Sequence, residues 1–318
     1  MITTLGQTGL RVTRIGLGLA ALGRPGYINL GHAVDLDGHT DVASMERGAH
    51  AVLDVAYAGG VRYFDAARSY GEAEAFLGSW LVSRGFGRDD VTVGSKWGYT
   101  YTAGWRVDAE VNEVKDLTAA TFRRQLAETR ERLGDHLRLY QIHSATLDSG
   151  VLEDRSVLDE LAALRAAGVF IGLSTSGAEQ AETIERAIEV GGFDSVQSTW
   201  NLLERSAGPA LAAAHAAGMG VIIKEALANG RLTDRGDVAA LGAAALQAGA
   251  APDALALAFV LEQPWVDVVL SGATTVSELR SNLGAVGPPV DPAVIDELES
   301  VVEEPAAYWK QRSELPWN

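Results

Sequence analysis

The sequence contains no cysteine in 318 residues, and its 42 acidic residues outnumber its 26 basic ones. The lack of cysteine excludes disulfides, cysteine nucleophiles and thiolate metal sites, and it is typical of a protein kept in a reducing cytosol. The formal net charge of −16 argues against nucleic-acid binding, because such surfaces need a clustered basic field. Any anionic ligand therefore has to be held locally, by a nest of backbone N–H groups.

Long apolar runs are missing as well. No uninterrupted apolar stretch reaches the roughly 18 residues that a membrane-spanning helix needs, and the opening residues lack the basic and apolar regions of a secretory signal. We therefore expect a cytoplasmic protein with no membrane partner. Hydrophobic residues still make up 47% of the chain and charged residues only 21%, which allows a large core and excludes disorder as the main state.

Short apolar strands alternate with longer amphipathic helices along the chain. A β-hairpin is predicted over residues 2–14. Strands are predicted at Ile15–Ala20, Val61–Ala66, Val91–Lys96, Leu137–His143, Val169–Ser174, Ser195–Gln197, Val221–Lys224 and Val266–Leu270. Helices are predicted at about 43–58, 73–84, 117–133, 155–167, 178–190, 206–217, 234–249, 253–262 and 276–284, with long loops at 24–41 and 97–116. This order predicts an α/β fold, a (β/α)8 TIM barrel with an N-terminal β-hairpin, as a single domain over 1–318.

Four polar side chains follow three consecutive predicted strands at their carboxyl ends, where barrels of this kind place their chemistry. They are Asp65, Tyr70 in the loop after it, Lys96 and His143. A phenol is a poor acid at its reference pKa of about 10, and a neighbouring ammonium group stabilises its anion, so we expect Lys96 to make Tyr70 a better proton donor. Asp65 would hold Lys96, and His143 would bind the substrate oxygen. Each residue alone also fits a structural role, as an ion pair, a packing ring or a buried histidine.

The segments around these positions resemble the aldo-keto reductase family. Residues 4–18 look like its opening hairpin and first strand, 64–71 are similar to its Asp-Thr-Ala-x-x-Tyr-Gly motif, and 95–98 and 139–143 match its lysine and histidine motifs. The resemblance covers nearly the whole chain. It implies reduction of an aldehyde or ketone by hydride from NADPH, or from NAD in its reduced form, with a proton from Tyr70. A sugar dehydrogenase working in the oxidative direction and a non-catalytic, cofactor-sensing barrel stay open as alternatives.

The resemblance also assigns a cofactor site. The residues carried over are Ser174, Thr175, Gln197, Lys224, Leu227, Asn229, Gly272, Thr274, Thr275, Glu278, Arg280 and Asn282. The segment after the last predicted strand has a glycine followed by hydroxyl residues at the start of a helix. This pattern predicts a nest of backbone N–H groups that binds phosphate. Lys224 departs from the family, which usually has an aromatic ring there, and Glu278 stands where many members have an arginine for the 2′-phosphate of NADP. Helix capping is the structural alternative for the hydroxyl residues.

Aromatic residues in two loops predict the mouth of a substrate pocket that suits a small hydrophobic carbonyl compound or a sugar ring. We assign Ala20, Tyr27, Trp97 and Trp105 to this pocket, with packing on the barrel rim as the alternative. His32 and His39 share the first long loop, but their spacing fits no common metal site, so we expect no metal. The sequence predicts neither the physiological substrate nor the oligomeric state.

Overall fold

The computed structural model describes residues 2–287, 294 and 298–318. Eight parallel strands close into a barrel in which neighbours along the chain are also neighbours in space. The N-terminal hairpin is formed by β1 (Ile2–Thr4) and β2 (Arg11–Thr13). The barrel strands are β3 (Ile15–Gly18), β4 (Tyr63–Asp65), β5 (Thr92–Trp97), β8 (Leu137–Ala145), β9 (Phe170–Thr175), β10 (Ser195–Thr199), β11 (Gly220–Lys224) and β12 (Val268–Ser271). The predicted (β/α)8 barrel with an N-terminal hairpin is confirmed.

Helices surround the barrel and cover its outer face. They are α1 (His32–Leu36), α2 (Val42–Ala58), α3 (Ala73–Arg84), α4 (Ala119–Leu133), α5 (Arg155–Ala166), α6 (Gln180–Val190), α7 (Gly208–Ala216), α8 (Ala239–Ala248), α9 (Pro252–Leu261), α10 (Val276–Leu283) and α11 (Pro305–Ser313). The main core lies between these helices and the strands. Of the described helices, none alone is long and apolar enough to cross a membrane; α8 and α9 reach that length and composition only together, across a bend of 86°.

The hairpin closes the N-terminal end of the barrel. The Gln7 amide donates to Gly218 O (3.1 Å) and the Gly6 amide to the Asp267 carboxylate (3.2 Å), both at strand starts. Gly6 has φ +48°, and a Cβ there would lie 2.4 Å from the Gly220 nitrogen, so only glycine fits. This arrangement leaves the opposite end, where the strands finish, free for the site.

Three elements were not predicted. The loop 97–116 contains a second hairpin, β6 (Tyr99–Tyr101) with β7 (Glu113–Lys115), and α1 lies inside the loop 24–41. Helix α11 begins at a proline, with the Glu304 side chain capping the Ala306 amide. All three elements lie at the rim, where they extend the walls of the site described next.

Candidate active site

The four predicted catalytic side chains meet at the C-terminal end of the barrel. Asp65 ends β4 and Lys96 lies beside it in β5, and each is 1% exposed. They form an ion pair, and Lys96 Nζ also donates to Ala66 O (3.1 Å). The Tyr70 ring centroid lies 5.0 Å from Lys96 Nζ and 5.4 Å from the His143 ring, which it meets edge to face. The structure therefore brings together an acid, an amine, a phenol and an imidazole.

A set of neutral donors holds the Asp65 carboxylate. Its Oδ1 accepts from the Tyr63 hydroxyl (3.0 Å) and from the side-chain amides of Gln141 (3.3 Å) and Gln197 (3.1 Å). A Cβ at Gly94 would lie 2.5 Å from the Tyr63 hydroxyl oxygen, so a glycine in β5 makes room for this ring inside the barrel. A buried carboxylate with a cation and three donors is fully compensated and stays fixed.

A local irregularity of β8 positions His143. The pairing with β9 shifts register between Ile142 and Ala145, and Ser144 has φ 55°. The Ser144 amide then donates to the Ser174 hydroxyl oxygen (2.9 Å) in place of a ladder bond. Bulges of this kind re-aim side chains at barrel rims. Here the bulge stands next to the imidazole that lines the site.

The surroundings keep His143 neutral. Burial lowers its pKa well below the ordinary value, and positive charges lower it further. These charges belong to Lys96, Lys224, Arg24 and Lys115. A neutral imidazole donates one hydrogen bond and accepts another, so His143 suits the binding of an uncharged oxygen rather than the supply of a proton.

Tyr70 is also protonated at neutral pH. Burial raises the pKa of its phenol, the Asp65 charge raises it further, and Arg24 opposes both. Lys96 lies 5.0 Å from the Tyr70 ring and is in direct contact with the Asp65 carboxylate, and its effect on the acidity of Tyr70 stays a prediction.

We call Asp65, Tyr70, Lys96 and His143 the tetrad. One large cavity opens at the tetrad and runs to the start of α10. Its volume is about 990 Å³, at the upper end for small-molecule and cofactor sites. Asp65, Tyr70 and His143 line one end of it. The other predicted residues that line it are Ala20, Tyr27, Gln197, Lys224, Leu227, Asn229, Gly272, Thr275, Glu278 and Asn282.

Four predicted cofactor residues lie off the lining that the described residues form. Ser174 is buried beneath the β8 bulge, where it accepts the Ser144 amide. Thr175 is buried and donates to the Ser198 hydroxyl oxygen (2.8 Å), and its contact with a cofactor stays a prediction. Arg280 is exposed on α10 and lies outside the cavity lining of the described residues.

The fourth is Thr274, and its neighbour is one of the two histidines considered for a metal. Thr274 lies 3.3 Å from His32 Nδ1 across the loop that contains α1. His32 is buried, whereas His39 is exposed. Within the described part of the chain, no three histidine or carboxylate side chains are grouped so that they could hold a metal ion.

Two of the four predicted pocket residues, Trp97 and Trp105, lie away from the cavity. Trp97 is completely buried and packs edge to face on Phe122, with ring centroids 5.1 Å apart. Trp105 packs near Phe76 (6.4 Å) and donates to Thr40 O (2.6 Å). Both are absent from the cavity lining of the described residues. A long apolar ring after a strand can turn inward or outward, and the sequence does not distinguish the two.

A buried arginine, Arg24, lines the cavity and was not predicted from the sequence, whereas Trp97 and Trp105 were predicted there. The Arg24 guanidinium lies over the rings of Tyr27 (5.2 Å), Tyr70 (5.3 Å) and Trp317 (4.5 Å), and it is paired with Glu113 (3.0 Å). Arginine stacks readily on aromatic faces. An available signal was its position directly after the first strand, at the same barrel end as the tetrad. Trp317 follows α11, which was not predicted.

Side chains at the start of α10 form hydrogen bonds with the backbone amides of its first turn. Thr275 and Glu278 form a capping box, in which Glu278 accepts the amides of Thr274 (2.8 Å) and Thr275 (3.2 Å). Glu278 also lies 3.5 Å from Arg235, which pairs bidentately with Asp35 of α1. The Glu278 carboxylate therefore lies where the sequence predicts a phosphate nest. Arg235 lies beside it and connects its own loop to α1 through Asp35.

The chain is a closed (β/α)8 barrel with Asp65, Tyr70, Lys96 and His143 at the carboxyl ends of its strands. The sequence model of the Aldo/keto reductase family matches residues 14–303. The chain therefore belongs to the aldo/keto reductase family, whose members act on small carbonyl compounds.

Similar proteins match this chain over nearly their whole length. The uncharacterized oxidoreductase YrpG of Bacillus subtilis is 28% identical over 96% of this chain and 98% of its own. L-Galactose dehydrogenase of Arabidopsis thaliana is 25% identical over 95% and 94%. The holo form of an aldo-keto reductase from Bacillus halodurans shares the fold with a TM-score of 0.75 and 21% identity, covering 99% of both chains.

Proposed function

We propose that the chain reduces an aldehyde or ketone to an alcohol with NADPH or NADH. The observation that carries the proposal is the meeting of Tyr70, His143 and the Lys96–Asp65 pair at one end of a cavity large enough for a dinucleotide. A bound nicotinamide supplies hydride for the carbonyl carbon. The proton for the carbonyl oxygen comes from the chain itself.

Tyr70 donates that proton, since its phenol is protonated at neutral pH and faces the cavity. The phenolate that forms lies near two cations, Lys96 and Arg24, which stabilise it. Neutral His143 donates a hydrogen bond to the same carbonyl oxygen and so orients it. Asp65 fixes Lys96 from below and takes no part in the proton transfer.

The far end of the cavity fits a dinucleotide in two respects. Asn229 is 5% exposed, and its Oδ1 has no hydrogen-bond partner among the described residues, as expected where a polar ligand completes the site. A Cβ on Gly272 would meet nothing within 4 Å, so the backbone before α10 is open to a ligand. We assign the nicotinamide end to Gln197 and Lys224 and the phosphate end to Gly272 and Thr275.

The test is to mix the protein with NADPH or NADH and follow absorbance of the reduced cofactor with an aldehyde, a ketone and an aldose. We expect cofactor oxidation that depends on the carbonyl compound, and cofactor binding in its absence. Binding without turnover of any compound in the panel would contradict the proposal and favour the non-catalytic barrel.

A second candidate is an aldose dehydrogenase. Asn112 and Glu113 lie in the lining beside Tyr27 and Trp317, and polar groups next to aromatic faces suit a sugar ring. L-Galactose dehydrogenase of Arabidopsis thaliana is among the similar proteins. The same panel distinguishes the two candidates when it is also run with oxidised cofactor and free aldoses.

A further inference from the structure

Two cations share one carboxylate beside the tetrad. Arg312 of α11 donates to the Glu225 carboxylate with two of its guanidinium nitrogens, Nε (2.9 Å) and Nη2. Lys224, the last residue of β11, has its Nζ 3.6 Å from the same carboxylate and donates to the Thr199 hydroxyl (2.8 Å). Both Lys224 and Glu225 line the cavity and are largely buried. The better geometry of Arg312 leaves the Lys224 charge only weakly compensated.

The catalytic end of the cavity therefore carries excess positive charge. Asp65 pairs with Lys96, Glu113 with Arg24, and Glu225 with Arg312. Lys224 shares Glu225 with Arg312, and among the described residues it pairs with no other carboxylate. The effect reaches the tetrad, since the charge on Lys224 is among those that lower the pKa of His143. This local excess contrasts with the net charge of −16 of the chain.

We propose that Lys224 makes the site distinguish the two redox states of a nicotinamide ring and bind the reduced form more tightly. The inference rests on the proposed function. The oxidised ring has a formal positive charge and the reduced ring has none, while the rest of the dinucleotide is the same. A ring that delivers hydride to the carbonyl group protonated by Tyr70 has to lie at this end of the cavity. There it meets the weakly compensated ammonium group.

The titration of Lys224 gives the proposal a signature in the unmodified protein. The pKa of Lys224 is lowered to about 8, chiefly by burial and also by the nearby Arg312 and Lys96 charges, against the effect of Glu225. The groups that face it are the Thr199 hydroxyl from β10, Glu225, Arg312 and the Trp309 ring (5.7 Å) from α11, and Lys96 from β5.

The neighbours keep their charges while Lys224 titrates. The pKa of Glu225 is lowered to about 2, chiefly by Arg312 and then Lys224 against the effect of burial, and that of Arg312 is raised by Glu225. His143 is neutral throughout this range. Discrimination is therefore full below about pH 8, where Lys224 is charged, and declines as the pH rises through that value.

The experiment measures dissociation constants by calorimetry for NADPH, NADP⁺, NADH and NAD⁺. The proteins are wild type, Lys224→Met, and Lys310→Met as the matched control, because Lys310 is an exposed lysine of α11. One unit charge a few ångströms from the ring predicts that the oxidised-to-reduced ratio of dissociation constants is at least about tenfold larger in wild type than in Lys224→Met. Lys310→Met should keep the wild-type ratio.

The wild-type ratio should also fall as the pH is raised from about 6.5 to about 9.5, with no variant involved. This second measurement decides the matter if Lys224→Met does not fold. A ratio that is the same in all three proteins and flat with pH overturns the role of Lys224 while leaving the proposed function intact. Failure of wild type to bind any of the four dinucleotides overturns both.

Discussion

Tyr70 is a half-buried phenol that keeps its proton at neutral pH, since its pKa is raised. A proton donor has to hold its proton until the carbonyl oxygen becomes basic, which happens as hydride arrives. Arg24 and Lys96 then lie within about 5 Å of the ring to stabilise the anion. In the proposed reaction, Tyr70 therefore gives up its proton only as hydride is transferred, and it stays protonated in the resting protein.

Replacement of Tyr70 by phenylalanine tests this role. The ring and its packing on His143 are kept, and only the proton is lost, so we expect kcat to fall by about 10²–10⁴-fold while dinucleotide binding is unchanged. Tyr101→Phe is the matched control, since Tyr101 of β6 lies outside the main cavity. Steady-state kinetics and calorimetric titration measure both quantities. Turnover within about threefold of wild type would show that another group supplies the proton.

Replacement of Lys96 by methionine tests the ion pair. The change leaves the Asp65 carboxylate buried without its cation, which typically costs about 3–5 kcal/mol of unfolding free energy. Denaturant unfolding measures the loss, and Lys310→Met should change stability by less than about 0.5 kcal/mol. The double variant Lys96→Met/Asp65→Asn should regain part of the stability but no activity. Equal stability of Lys96→Met and wild type would mean that the pair is not a compensated buried charge.

At the scale of elements, the first turn of α10 determines what the far end of the cavity offers a ligand. The Glu278 side chain accepts two amides at the point where the sequence predicts a phosphate nest. A 2′-phosphate would meet this carboxylate, while a ribose hydroxyl could donate to it. We therefore expect weak discrimination between NADPH and NADH.

Two substitutions of Glu278 distinguish the effect of its negative charge from that of its hydrogen bonds to the start of α10. Glu278→Gln removes the charge and keeps an oxygen that can accept the amides, and Glu278→Arg supplies a cation for the phosphate. We expect NADPH to bind more tightly relative to NADH in both variants, by about tenfold or more in Glu278→Arg. Fluorescence titration of both cofactors measures this. A wild-type preference for NADPH of about a thousandfold, or about 4 kcal/mol, would place the phosphate away from Glu278.

The barrel strands and the outer helices could be predicted because apolar runs alternate with longer helical segments in a regular order along the chain. Continuous apolar runs mark strands buried on both faces, and α2 and α4 carry amphipathic patterns with capping residues Asp41 and Thr118. The hairpin β6–β7 could not be found this way. Its strands have three residues each, and they pair through contacts 12–16 residues apart that leave no local pattern.

At the scale of the whole molecule, the closed barrel explains why the tetrad was predictable from one sequence. Adjacent parallel strands end at the same rim, so Asp65, Lys96 and His143 had to be neighbours once the strand order was known. The residues that form the side walls of the cavity could not be predicted from the strand order. Trp97 turned into the core while Arg24 and Trp317 formed the wall, and that choice depends on packing between segments far apart in the chain.

The central claim is that the cavity carries hydride from a nicotinamide to a carbonyl carbon and a proton from Tyr70 to its oxygen. The most direct measurement uses cofactor with deuterium at the transferable position of nicotinamide C4, a carbonyl compound reduced in the panel, and mass spectrometry of the alcohol. The account predicts one deuterium on the former carbonyl carbon with wild type and a rate at least about a hundredfold lower with Tyr70→Phe. An alcohol without deuterium, or equal rates for the two proteins, would contradict it.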